Sequence, residues 1–101
     1  MKFELSKAGA FLIVRIGGEL DHHYCDIIRN RIDPELMEPP IRNIVFDLTG
    51  LTFMDSSGIA VILKAYRRMQ HLNGTLLVCH VPGQARRVLD AAGVGRLVRI
   101  Q

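Results

Sequence analysis

The run Ile41-Arg42-Asn43-Ile44-Val45-Phe46-Asp47-Leu48-Thr49-Gly50-Leu51-Thr52-Phe53-Met54-Asp55-Ser56-Ser57-Gly58 decides the fold. Ile41 to Leu48 reads as a strand, and the unbroken Ile44-Val45-Phe46 implies burial on both faces, the habit of a parallel strand covered by helices. A loop carrying Asp55-Ser56-Ser57-Gly58 follows, and then a helix from about Ser57 to Leu72. Ile59, Ile62, Leu63, Tyr66 and Met69 recur at helical spacing and form its expected buried stripe, which turns Ala60, Val61, Lys64 and Arg68 outward. Asn73-Gly74 closes the helix, with Gly74 suited to the left-handed position after the last turn.

Beyond this unit, Thr75 to Val81 reads as a strand. Pro82 then starts a helix with Ala85, Val88, Leu89 and Ala92 facing inward. Gly93 ends that helix, Val94 makes the accompanying apolar contact, and Leu97 to Ile100 is the last strand. On the other side, Phe3 to Ser6 alternates apolar with polar, Ala8-Gly9 is a turn, and Phe11 to Ile16 is the second arm of a hairpin that Gly17-Gly18 ends. Asp21 can cap a first helix whose face carries Tyr24, Ile27, Ile28, Ile32 and Leu36. Proline inside a helix costs about 3 kcal/mol. The regular helix is therefore expected to stop near Ile32, with Asp33 capping a further turn begun by Pro34 and Pro39-Pro40 ending all helix. The order β-β-α-β-α-β-α-β gives an α/β layer protein with a mixed, largely parallel sheet. Residues 1–101 make a single domain.

Composition excludes several classes. A chain of 101 residues with 49% hydrophobic content can bury a core. Its apolar runs are too short to cross a membrane, and Met1-Lys2-Phe3-Glu4-Leu5 is not a signal peptide, so a cytoplasmic location is expected. The net charge of +3 comes from scattered arginines, and with no Trp there is no base-stacking platform, so no nucleic-acid partner is expected. Cys25 and Cys79 read as buried structural thiols. Neither has a partner at metal-ligand spacing, and no metal site or cofactor is expected.

The chemistry gathers at the Phe46 to Gly58 junction. Functional groups in open α/β sheets collect beyond the carboxyl ends of strands. A helix N-terminus there offers free N–H groups and a positive dipole end, which favour an anion such as a phosphorylated serine. The ordinary role of Asp55, Ser56 or Ser57 at such a place is to cap the helix. The helix wheel puts Ser57 on the outer face, beside Val61, and Ser56 near the edge of the buried stripe, so the residues alone do not choose between the serines. His22-His23 cannot share a helix face and make a poor metal pair. The missing Gly-x-Ser-x-Gly elbow argues against a small hydrolase using Ser56 or Ser57 with His22 or His23, and no phosphate-binding glycine loop is present. No catalytic residue is expected, and the chain does not read as an enzyme.

Gly18-Glu19-Leu20-Asp21-His22-His23, Ile44-Val45-Phe46-Asp47-Leu48 and Phe53-Met54-Asp55-Ser56-Ser57-Gly58-Ile59 follow the order and spacing of STAS-domain anti-sigma factor antagonists. Arg86-Arg87-Val88-Leu89-Asp90-Ala91-Ala92-Gly93-Val94 resembles the family's third helix and its glycine stop. The double histidine is most similar to the sporulation branch.

The resemblance implies the STAS fold and a partner-switching mechanism. The unmodified antagonist binds an anti-sigma factor serine kinase and frees the sigma factor. The kinase, which holds the ATP, phosphorylates the first motif serine, here Ser56, with Ser57 the fallback. A PP2C-type serine phosphatase resets it. Glu19, Asp21, Asp55, Ser56, Ser57, Gly58 and Val61 are the implied partner contacts, and the free protein is expected to be a monomer. The family usually continues into a C-terminal helix, so the end at Gln101 is expected to leave one flank of the core uncovered. The alternative is a STAS module that binds constitutively, as a scaffold in a sensory complex.

Overall fold

The computed structural model describes residues 2–38 and 41–101. The elements are β1 (Lys2–Ala8), β2 (Phe11–Leu20), α1 (His22–Leu36), β3 (Asn43–Asp47), β4 (Leu51–Met54), α2 (Ser56–His71), β5 (Thr75–Cys79), α3 (Gly83–Ala91), a 3₁₀ turn (Val94–Arg96) and β6 (Arg99–Ile100). The main sheet runs β1-β2-β3-β5-β6, and β4 pairs with the far half of β2. β1 is antiparallel to β2, while β3, β4, β5 and β6 pair in parallel, so the sheet is mixed as expected.

The parallel register explains the core. Leu12 pairs with Ile44 and Ile44 with Leu76; Val14 pairs with Phe46 and Phe46 with Val78. These two cross-strand rows are buried. Helices α1 and α2 pack on the sheet and on one another, through Cys25, Ile28, Ile32 and Leu36 of α1 and Val61, Ile62, Ala65 and Met69 of α2. The alternate residues Ile13, Val45 and Leu77 form a row on the opposite face and are only half-buried. The expectation that Ile44-Val45-Phe46 is covered on both sides therefore holds for Ile44 and Phe46 and fails for Val45.

Four local expectations change. First, α1 runs unbroken to Leu36 with Pro34 inside it. Pro34 lies in the last turn, and both it and Asn30, whose carbonyl it leaves unbonded, are exposed. The lost bond thus sits on the solvent side, while Ile28, Ile32 and Leu36 keep the buried stripe continuous. Pro39-Pro40 lies outside the described residues.

Second, Gly17-Gly18 does not end β2. The strand continues to Leu20, with a bulge between Gly18 and Glu19 against β4. Gly18 sits at φ +82°, a conformation that glycine adopts without steric cost. Third, Leu51–Met54 is a strand and not loop.

Fourth, the left-handed residue after α2 is Asn73, at φ +56°. Gly74 is needed for space instead, because a Cβ there would stand 1.7 Å from the Arg42 carbonyl oxygen. Gly93 does take the left-handed position after α3, with Val94 buried behind it. Of the inward residues expected on α3, Ala85 and Leu89 are buried and Val88 half-buried, but Ala92 is exposed. The last strand shortens to Arg99–Ile100, and Leu97 is exposed.

Candidate functional site

The bulged second half of β2 and the short β4 build the site together. Their parallel register places Glu19 opposite Phe53 and Leu20 opposite Met54. Both strands then end on an aspartate that caps a helix. Asp21 accepts a hydrogen bond from the Tyr24 amide at 3.1 Å and starts α1. Asp55 accepts from the Ser57 amide at 2.8 Å and starts α2. The Asp55 amide donates to the Leu20 carbonyl at 3.3 Å, tying the two strand ends together. Two sequence motifs more than thirty residues apart thus become one edge carrying two helix N-termini.

The serines divide on this edge. Ser56 is the first residue of α2 and is exposed, whereas Ser57 is half-buried. The Ser57 hydroxyl lies 3.3 Å from His22 Nδ1, across the junction between the two helices. This reverses the expectation from the helix wheel. A first turn begun by a capping aspartate in extended geometry does not follow the phase of the helix body.

Gly58 is buried, and a Cβ there would meet Met54 Cγ at 2.8 Å and Leu20 Cδ2 at 3.1 Å. It lets α2 start hard against the paired strands. Glu19 is exposed and Asp21 half-buried. Val61 does not belong to the exposed surface. It is 3% exposed and packs toward α1 beside Ile32 and Leu36. A wheel read against the sheet alone leaves out the second face that α1 covers. The exposed apolar group at this edge is Phe53, 41% exposed and paired with Glu19.

Electrostatics agree with this assembly. Burial pushes the Cys25 thiol up to about 11, and the Asp55 carboxylate adds to that shift, with Asp21 and Asp26 contributing less. Cys25 thus lies in the first turn of α1 within the field of both capping aspartates.

One supporting residue was invisible in the sequence. Gln84, from the first turn of α3, accepts from the Met54 amide and donates to the Met54 carbonyl, each at 2.8 Å. Its side-chain amide replaces the next strand of the ladder beside β4 and holds the residue just before the Asp55 cap. A glutamine two residues after Pro82 carries no pattern that would announce this.

The STAS domain model matches residues 2–101. The chain is 37% identical over 100 residues to an anti-sigma F factor antagonist of Paenibacillus polymyxa, covering 99% of this chain and 86% of that protein. Among solved structures it is similar to the anti-sigma factor antagonist SpoIIAA in its unphosphorylated form, with a TM-score of 0.88 at 27% identity over 99% of this chain and 88% of that one. It is also similar to the Bacillus cell fate determinant SpoIIAA in the phosphorylated form, with a TM-score of 0.80 at 27% identity over 99% and 91% of the two chains. In the described residues no helix is long and apolar enough to cross a membrane. A shared fold and a match along nearly the whole length lead to one assignment: the chain belongs to the STAS-domain family of anti-sigma factor antagonists, which are regulatory proteins and not enzymes.

Proposed function

We propose that this chain, acting as a single STAS domain in the cytoplasm, binds an anti-sigma factor serine kinase in its unmodified form and is released by phosphorylation of Ser56. The observation that carries the reading is the exposed Ser56 hydroxyl at the start of α2, on the edge where Glu19, Asp21 and Asp55 converge. Ser57 is a poorer acceptor because it is half-buried and its hydroxyl is engaged with His22. The partner supplies ATP, a PP2C-type phosphatase removes the phosphate, and the free antagonist is a monomer. Further support comes from the similar protein solved in both an unphosphorylated and a phosphorylated form.

The physics is local. A phosphoserine carries about −1.5 to −2 charges at neutral pH. The N-terminal dipole of α2 stabilises it within the free protein by a few tenths of a kcal/mol to about 1 kcal/mol. A bound partner, however, would have to desolvate that dianion beside Glu19, Asp21 and Asp55. A loss of about 1.4 kcal/mol already weakens binding tenfold. No rearrangement of the fold is needed.

The test compares the affinity of a cognate anti-sigma kinase for wild type, Ser56→Ala and Ser56→Asp by calorimetry. Wild type and Ser56→Ala should bind alike, and Ser56→Asp should bind at least about tenfold more weakly. Equal binding by all three would overturn the switch and favour the constitutive module.

A further inference from the structure

On the half-open face of the sheet, the parallel register aligns Arg15, midway along β2, with Asp47 at the end of β3, and Asp47 with Cys79 at the end of β5. Side chains of residues paired this way project from the same face. The next residue, His80, would normally project from the other side. It does not, because the backbone turns there to φ +55°, a left-handed conformation that is uncommon for a side-chain-bearing residue. The turn brings the imidazole back over Asp47, with Nδ1 3.2 Å from Oδ1. The ligand atoms of Asp47, Cys79 and His80 then all lie within 4.8 Å of one another.

We propose that Asp47, Cys79 and His80 form a binding site for a divalent transition metal of the zinc class. The donor set is a thiolate, an imidazole and a carboxylate, which is borderline-soft and disfavours magnesium and calcium. Bonds of about 2.0–2.3 Å in a tetrahedron require ligand atoms roughly 3.3–3.8 Å apart. All three ligand atoms lie within 4.8 Å of one another, so the widest pair has to close by at most about 1.0–1.5 Å.

His80 is exposed, so the cluster is open to solvent. The surroundings orient the carboxylate. Thr49 donates to Asp47 Oδ1 through its amide at 3.1 Å and through its hydroxyl at 2.5 Å. Arg15 Nε lies 3.6 Å from Oδ2. Arg15 therefore holds Oδ2, while Oδ1, held by Thr49, faces His80.

Binding replaces the S–H bond of Cys79 by a metal–sulfur bond and releases one proton to solvent. In the metal-free protein Nδ1 faces the Asp47 carboxylate and carries the hydrogen of that contact; on binding, the imidazole shifts to its Nε2–H tautomer and the freed Nδ1 lone pair goes to the metal. The metal would tie β3 to β5 and to the chain leading into α3. This site is separate from the Ser56 edge and does not depend on the switch.

Cobalt(II) titration of the full chain under reducing conditions tests the proposal. Wild type should develop the near-ultraviolet thiolate-to-cobalt charge-transfer band, and zinc should displace it. Cys25→Ala should keep the band and Cys79→Ser should lose it. His80→Ala should weaken binding by more than the about 10–100-fold that follows from disturbing a supporting group. No band at excess cobalt would overturn the proposal. So would a band that survives in Cys79→Ser, or a His80→Ala variant that binds like wild type. Circular dichroism on each variant separates loss of the site from loss of the fold.

Discussion

Replacing Gln84 tests how the strand that leads into the serine-bearing helix is held. The Gln84 amide both accepts from Met54 N–H and donates to Met54 C=O, each at 2.8 Å. A side-chain hydrogen bond contributes about 0.5–1.5 kcal/mol net, and a buried group left without a partner costs about 1–3 kcal/mol. Gln84 is half-buried, so water recovers part of the loss. Gln84→Ala should therefore cost about 2–3 kcal/mol, which lowers Tm by about 8–24 °C in a domain of this size.

Gln84→Glu is the sharper probe. Its carboxylate still accepts from Met54 N–H but cannot donate, and it faces the Met54 carbonyl. The folded state then favours the protonated acid, so the folded-state pKa rises above the unfolded value of about 4.3. The protonated acid's contribution is fully present below the unfolded value and is lost as pH rises through the folded one. The stability gap from wild type should be small near pH 4 and widen toward pH 7. Thermal unfolding followed by circular dichroism between pH 4 and 8 measures it. A Gln84→Glu protein within about 0.5 kcal/mol of wild type at pH 7, with a gap indifferent to pH, would refute the clamp.

Gly58→Ala gains up to about 1 kcal/mol of helix propensity. It also forces a methyl against Met54 and Leu20, both buried, at a cost of about 1–3 kcal/mol. The net should be a loss of about 1–2 kcal/mol, seen as a lower urea midpoint with an unchanged slope, and a gain would contradict the packing. Cys25, buried and with its pKa pushed to about 11, should react with thiol reagents at pH 8 only through opening of the fold. In a Cys79→Ser background, labelling of Cys25 in the native protein as fast as in denaturant would contradict that.

The sequence carries its local signals well and its tertiary ones unevenly. Asp21 and Asp55 cap their helices because capping needs only a short polar side chain ahead of an apolar stripe. The parallel sheet is legible in the alternation of strands and helices. What escapes is whatever depends on a distant partner. Leu51–Met54 becomes a strand only because β2 extends past its glycines to receive it, and the Gly18 bulge that permits this has the same letters as a strand end. Val61 is buried because α1 covers α2 from the side, a face that the helix wheel cannot anticipate. The serine motif was legible as a helix start, while the difference between Ser56 and Ser57 arose from the capping geometry and from His22, some thirty-five residues away. Asp47, Cys79 and His80 stayed hidden for the same reason, since sheet register and one left-handed residue bring them together.

The most direct measurement is the position of the phosphate after incubation with a cognate anti-sigma kinase and ATP, read by peptide mass spectrometry. One phosphate on Ser56 is expected. Ser57→Ala should still accept it, and Ser56→Ala should accept none. An active kinase that leaves Ser56 unmodified, or that places the phosphate on Ser57, would contradict the account.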